Sequence, residues 1–320
     1  MSTFLKGNDF EKAALDLHIT QYKSNSVYHS FCRNIGLEEP AQSFLEIPFL
    51  PISFFKHHAV KSGEFEAEKI FLSSGTGGRR SMHHIKSLDA YRESLTRSFQ
   101  FFHPPENGRL AVFALLPNYL EQGDSSLIYM IDELNAAGSI ELKGYFLHDS
   151  SALYNALTQA IQSGNQTCLL FGVSYALLDF AEQYSLNLEE HIVMETGGMK
   201  GRREELIRSE LHERLKKAFN TKQIASEYGM TELMSQAYSR GEGIYECPPW
   251  MQVSVRDIYD PFALQANERS GVLRFIDLAN EHSCAFIETE DLGRVHENGK
   301  FEVLGRLDAS DVRGCNLLAI

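Results

Sequence analysis

Ile70-Phe71-Leu72-Ser73-Ser74-Gly75-Thr76-Gly77-Gly78-Arg79-Arg80 is the stretch on which the reading of this chain turns. Three apolar residues that suit a strand run into a loop of glycines and hydroxyls. Small residues let successive backbone N–H groups turn toward an anion, and the hydroxyls of Ser73, Ser74 and Thr76 add donors, so the loop suits phosphate oxygens. Arg79 and Arg80 add positive charge. The loop has neither the Gly-Lys-Ser/Thr ending of a Walker A sequence nor the G-x-G-x-x-G spacing of a dinucleotide fingerprint. Taken alone, it fits a solvent-exposed turn as well.

From this strand onward the chain alternates. Short apolar runs at Ile70–Leu72, Leu110–Leu115, Cys168–Gly172, Ile192–Met194 and Gln223–Ala225 read as strands. Longer periodic segments at Leu88–Phe102, Ser126–Ala137, Ala152–Gln162, Tyr175–Tyr184 and Arg203–Ala218 read as helices. The alternation predicts an α/β protein with a largely parallel sheet flanked by helices. Before it lie two candidate helices, Asp9–His18 and Ser26–Ile35, and then Ile47-Pro48-Phe49-Leu50-Pro51, where proline forces extended or turn geometry. After Pro248 the pattern changes to short alternating strands, Met251–Arg256 and Gly271–Ile276 among them, with a hairpin closing at Glu297-Asn298-Gly299-Lys300. The expected division is a helical N-terminus plus α/β nucleotide-binding core over 1–247, and a smaller β-rich subdomain with a C-terminal tail over 248–320.

Thirty Lys plus Arg against 43 Asp plus Glu give a net charge of -13. That balance argues against general nucleic-acid binding, which depends on neutralising phosphates. The first residues lack the basic-then-apolar order of a secretory signal. The most apolar stretch, Cys168–Leu178, is far shorter than the ~20 residues that cross a bilayer. Five dispersed cysteines without a CxxC pair read as reduced thiols of a cytoplasmic protein, with no disulfide framework and no zinc site.

Further segments carry candidate chemistry. Met194-Glu195-Thr196-Gly197-Gly198-Met199-Lys200 follows a strand, and ligands of parallel sheets bind beyond the carboxyl ends of strands; a plain strand-to-helix turn reads equally well. In Ser226-Glu227-Tyr228-Gly229-Met230-Thr231-Glu232, Tyr228 offers a flat face for a base and Gly229 close backbone approach. Thr231 offers a hydroxyl for phosphate, and Glu232 a hard oxygen ligand for magnesium. The ordinary alternative there is a helix N-terminus, where Thr and Glu are favoured. In Glu288-Thr289-Glu290-Asp291-Leu292-Gly293-Arg294 and Gly305-Arg306-Leu307-Asp308, an Asp and an Arg at turns would grip ribose and phosphate; a surface ion pair is the alternative. His83-His84 reads as a solvated helix start, with phosphate contact as its alternative.

In order, these elements resemble the core motifs of the adenylate-forming superfamily of acyl and aryl ligases. Ser73–Gly78 resembles its phosphate loop, Glu195–Gly198 its adenine loop, Tyr228–Glu232 its Tyr-Gly-x-Thr-Glu motif. Asp291 resembles its ribose-binding Asp, and Arg306 with Asp308 its Arg–hinge pair. The closer resemblance is to the LuxE-like acyl-protein synthetases, whose N-terminal signature Ile47–Lys56 resembles. Two departures stand out: Gly77 replaces a Thr of the phosphate loop, and Thr-Glu-Asp replaces Thr-Gly-Asp.

The resemblance implies the N-terminal core of an adenylate-forming enzyme, with the mobile C-terminal domain of CoA-ligating relatives absent. It also implies ATP and Mg2+ as cofactors and a carboxylic acid, a fatty acid, as substrate. The expected roles are phosphate binding by Ser73, Ser74, Gly75, Thr76, Gly77, Gly78, Arg79 and Thr231, and magnesium binding by Glu232. Gly197, Gly198 and Tyr228 are expected around adenine, Gly229 and Met230 in contact with the nucleotide, Asp291 and Arg306 at ribose or phosphate, and Asp308 at the hinge. Cys315 is the expected acyl acceptor, with Arg313 favouring its thiolate; an inert packing cysteine is the alternative. An acyl-carrier protein or CoA is the competing acceptor, and an acyl-CoA-reductase-like protein a further partner. A non-catalytic subunit of a reductase complex is the reading from another class, and retention of Thr231, Glu232, Asp291 and Arg306 together speaks against it.

Overall fold

The computed structural model describes residues 8–74, 79–116, 124–197, 206–261 and 263–307. They divide into two units, Ala67–Pro248 and Met1–Glu66 with Pro249–Ile320.

The chain enters the second of these units through α1 (Asn8–Ser24) and α2 (Ser26–Asn34). Asn25 separates them and caps α2, its side-chain oxygen accepting from the N–H groups of Val27 and Tyr28 at 3.1 and 3.0 Å. Prolines then hold the chain extended into β1 (Leu50–Pro51), which is followed by the single turn α3 (Phe54–His57).

The Ala67–Pro248 unit opens with β2 (Lys69–Leu72) and β3 (Met82–Ile85), an antiparallel pair of their own. Here the expectation is corrected, for the Ile70–Leu72 strand does not join the parallel sheet. Residues 81–85 turn back along it because Ser81, His83 and Ile85 all face inward, an alternation that suits a strand rather than the expected helix start. The alternating run follows as α4 (Leu88–Phe102), β4 (Leu110–Leu115), α5 (Ser126–Ala136), β5 (Ile140–Tyr145), α6 (Ser150–Ser163), β6 (Cys168–Val173), α7 (Ser174–Gln183), β7 (Ile192–Thr196), α8 (Arg208–Phe219) and β8 (Ala225–Tyr228). Strands lie in the order β5-β4-β6-β7-β8, all parallel. Every residue of β4 and β6 is buried, as expected where helices cover both faces of a parallel sheet. Between β8 and β9 the chain makes no helix. It turns through residues 229–236 into β9 (Ala237–Ser239), antiparallel to β8, and then β10 (Ile244–Glu246), antiparallel to β9.

The other unit is completed by β11 (Met251–Arg256), β12 (Ser270–Asp277), β13 (Phe286–Val295) and β14 (Phe301–Arg306), an antiparallel meander. Its last hairpin closes where expected, with His296 and Lys300 hydrogen-bonded at 2.8 Å and Gly299 at φ +78°. β1 adds to β13 in parallel, pairing Leu50 with Ile287 and Pro51 with Glu288.

The sequence pattern groups the N-terminal helices with the α/β core; in the structure they belong with the meander. Side-chain amides make the attachment. Gln21 donates to the carbonyls of Asn280 and Glu281 and accepts from the Ala285 N–H, while Asn25 donates to the Ser283 carbonyl. Among the described residues no helix is long and apolar enough to cross a membrane.

Candidate active site

Because β6, β7 and β8 are parallel, their carboxyl ends lie at one edge of the sheet, and small or hydroxyl-bearing residues follow each of them. Past β6, the Ser174 hydroxyl donates toward Glu195 at 2.9 Å and the Gly197 carbonyl at 2.8 Å, which fixes the end of β7. Gly197 sits at φ +64°, a left-handed conformation that a side chain would strain. In register on the neighbouring strand, Thr196 pairs with Glu227, and the Thr196 hydroxyl hydrogen-bonds the Glu227 carboxyl. Tyr228 ends β8 nearly buried, its ring edge-on to Tyr245 at 5.8 Å.

The turn that follows carries Gly229, Met230, Thr231 and Glu232. Gly229 is exposed and Met230 half-buried, while Thr231 and Glu232 are buried at 9% and 4% exposure. The helix N-terminus weighed as the ordinary alternative is therefore excluded: the Leu233 N–H closes back on the Met230 carbonyl at 3.1 Å and the chain goes on to β9. The Ser235 hydroxyl, bonded to that of Ser94 on α4 at 3.0 Å, anchors the far side of the turn.

The base of the glycine-rich loop is fastened in the same unit. Ser73 and Ser81 face each other, the Ser73 N–H donating to the Ser81 carbonyl at 3.1 Å and the Ser81 N–H to the Ser73 hydroxyl at 2.9 Å. Arg80 donates to the Ser73 and Leu72 carbonyls at 2.5 and 3.3 Å, so this cation is used in holding the loop, whereas Arg79 and Ser74 are exposed. His83 on β3, 1% exposed, donates from Nδ1 to the Thr231 carbonyl at 2.7 Å. A carbonyl only accepts, so Nδ1 carries the hydrogen. That bond brings the loop's own hairpin onto the Thr231–Glu232 turn.

Glu195 and Glu227, which stand within the motifs but carry no expected role there, are both buried. Arg208 and His212 on α8 each stand 3.7 Å from Glu195, ion-pair rather than hydrogen-bond range. Burial works to raise the Glu195 pKa, but His212, Arg208 and Ser226 together hold it below the ordinary carboxylate value. Glu227 behaves oppositely: burial pushes it up to about 7, the Thr196 hydrogen bond opposing the rise and the Glu195 charge adding to it. The two carboxyls are thus pushed in opposite directions by their surroundings.

Asp291 and Arg306 belong to the other unit and are neighbours there in register on β13 and β14. The expected turns are corrected: both residues are in strands. Arg306 is 72% exposed and faces Asp291 at 3.6 Å and Glu290 at 3.2 Å, with Lys56 also on Glu290 at 3.5 Å. Gly75, Thr76, Gly77, Gly78, Gly198, Asp308 and Cys315 lie outside the described residues. Cys32, Cys168 and Cys284 are buried, and burial drives their thiol pKa values up, that of Cys32 to about 12. None of the three suits a nucleophile, as expected of core residues.

The fold class defined by this arrangement is that of the adenylate-forming acyl ligases. The structure is similar to 2-hydroxyisobutyryl-CoA ligase in an open conformation, with TM-score 0.67 and 12% identity over 93% of this chain and 74% of that one. It is also similar to ATP-bound MatB from Rhodopseudomonas palustris, with TM-score 0.56 and 16% identity over 76% of this chain and 49% of that one. The chain thus spans about half the length of the MatB chain. Within this class the chain belongs to the acyl-protein synthetase LuxE family, whose profile matches residues 5–319. Two relatives, each a long-chain-fatty-acid–luciferin-component ligase, come from Vibrio harveyi and Aliivibrio fischeri. They are 23% and 22% identical over 96% of this chain and 85% and 86% of their own length.

Proposed function

We propose that this chain activates a carboxylic acid with ATP, releasing pyrophosphate, and then passes the acyl group to a thiol. The acid is a fatty acid, the class in the names of both bacterial relatives. The observation that carries the reading is the meeting of Ser73's hairpin with the Thr231–Glu232 turn, beside the ends of β7 and β8.

A carboxylate does not acylate a thiol directly, because its leaving group would be oxide. Attack of a carboxylate oxygen on the α-phosphorus forms a mixed anhydride, breaks the bond to the β-phosphate and expels pyrophosphate. A thiolate then attacks the acyl carbon, and AMP leaves. The protein's task is mainly positioning and charge stabilisation. In this reading the 73–78 loop, Arg79 and the Thr231 hydroxyl hold phosphate, Tyr228 and the Gly197-Gly198 pair surround adenine, and Gly229 and Met230 contact the nucleotide. Asp291 and Arg306 hold ribose or phosphate, and Asp308 takes the hinge position. Magnesium, when bound, neutralises phosphate charge. Glu232, a buried carboxylate next in sequence to Thr231, fits an ion that takes one or two carboxylates and fills its shell from phosphate and water. Cys315 is the proposed acceptor, an acyl-carrier protein or CoA the second reading. A reducing, cytoplasmic setting and an acyl-CoA-reductase-like partner belong to the same proposal.

Acid-dependent ATP–pyrophosphate exchange, run against aliphatic and aromatic acids, tests the first step. Exchange with medium- or long-chain acids is expected, and silence from folded protein across the panel overturns the proposal. Glu232→Gln is expected to slow exchange by about 10²–10³-fold. Cys315→Ser is expected to spare exchange and abolish hydroxylamine-sensitive labelling by radioactive acid. Labelling that persists moves the acceptor elsewhere.

A further inference from the structure

His83 is a buried imidazole to which the proposed reaction has so far assigned no part. It sits on β3, two residues past Ser81, whose backbone closes the glycine-rich loop against Ser73. Ser81, His83 and Ile85 share the inward face of the strand, each no more than 2% exposed. From that face Nδ1 donates 2.7 Å to the carbonyl oxygen of Thr231.

The accepting atom matters. The Thr231 carbonyl and the Glu232 N–H belong to one rigid, planar peptide unit. A hydrogen bond to that carbonyl fixes the plane from which the Thr231 and Glu232 side chains both depart. Through one imidazole, the loop's hairpin and the Thr-Glu turn acquire a common register, although 148 residues separate the bonded pair.

We propose that His83 is a positioning residue for adenylation: its Nδ1–H holds the Thr231–Glu232 peptide in register with the hairpin base that Ser73 and Ser81 close. The Thr231 hydroxyl and the Glu232 carboxylate are thereby presented to the nucleotide from a fixed peptide plane. The inference rests on the adenylation reading above. Its energetic logic is geometric, since misplacing a reacting group by about 1 Å can cost on the order of 10²-fold in rate.

The test compares three substitutions in the full chain by ATP–pyrophosphate exchange, with circular dichroism and melting as checks on folding. Asn places an amide N–H close to where Nδ1 stands, whereas Gln carries it out toward Nε2, and Leu offers no donor. His83→Leu and His83→Gln are expected to lower kcat by about 100-fold with little change in the KM for the acid. His83→Asn is expected to recover activity to within about tenfold of the parent. Should the Leu variant fail to fold, the contrast between Asn and Gln remains decisive. Equal losses in Asn and Gln, or parental exchange in Leu, overturn the positioning role while leaving adenylation intact. A parent chain without exchange overturns the adenylation reading itself, and this inference with it.

Discussion

At the scale of single residues, Gly229 is constrained more tightly than its exposed position suggests. A Cβ built there would lie 2.5 Å from Glu227 Oε1 and 3.3 Å from the Gln236 side chain. The carboxyl in question is not a free-swinging surface group, being buried and hydrogen-bonded to Thr196. Gly229→Ala therefore has to displace either Glu227 or the turn. It is expected to cost about 1–3 kcal/mol, the usual range for overpacking. It is also expected to raise the KM for ATP by moving Thr231; chemical denaturation and exchange kinetics measure the two effects, and an unchanged KM would detach Gly229 from the nucleotide. The strand ends at which these candidates stand were legible from sequence because glycine and hydroxyl runs after apolar runs mark where a strand gives way to a turn. His83 was less legible. The residues around it include Ser81, His84 and Lys86 and give a polar segment, so only the inward alternation of Ser81, His83 and Ile85 marks it as a strand with a buried imidazole.

At the scale of elements, β7 and β8 enclose a pair of carboxyls with opposite tendencies. The Glu227 pKa rises from an ordinary 4.5 to about 7 in the folded chain. Between those values the folded state binds more protons than the unfolded one. Stability from this group is full below pH 4.5 and is lost as pH climbs through 7. At about 1.4 kcal/mol per pH unit for one proton, the loss approaches roughly 3 kcal/mol. Glu227→Gln stays neutral at every pH, so the parent's unfolding free energy is expected to fall by that order relative to the variant between pH 4.5 and 8. Parallel denaturation curves would show that Glu227 is ionised throughout. β4 and β6 were legible because burial on both faces makes them unbroken apolar runs, whereas the parallel β5 went unread because only Ile140 of Ile140–Tyr145 is buried. β9 went unread as well, since Ala-Tyr-Ser carries no apolar run, and β8 was read too early because Ser226 and Glu227 look like surface residues yet are buried.

At the scale of the molecule, the α/β class and the β-rich C-terminal region were legible, whereas the partners of the N-terminal helices were not. Gln21 and Asn25 bind backbone groups more than 250 residues away, and amide side chains leave no periodic trace in a sequence. Asn25→Ala removes a helix cap, worth about 0.5–2 kcal/mol, and takes from the Ser283 carbonyl one of its donors, the Ser62 hydroxyl still donating to it. A loss of roughly 1–3 kcal/mol is expected from the cap and one hydrogen bond, read as faster amide exchange in α1 and α2; unaltered exchange there would mean that other contacts hold the helices. The same arrangement sets an order on biosynthesis. A ribosome delivers α1 and α2 first, then the whole of Ala67–Pro248, and only afterwards the 280–285 segment that receives Gln21 and Asn25. At roughly 5–20 residues per second, the nascent helices wait on the order of ten seconds or more for their partners. Throughout that interval Gln21 and Asn25 stand without the backbone partners that hold them in the folded chain, so the pace of translation sets how long this attachment goes unmade.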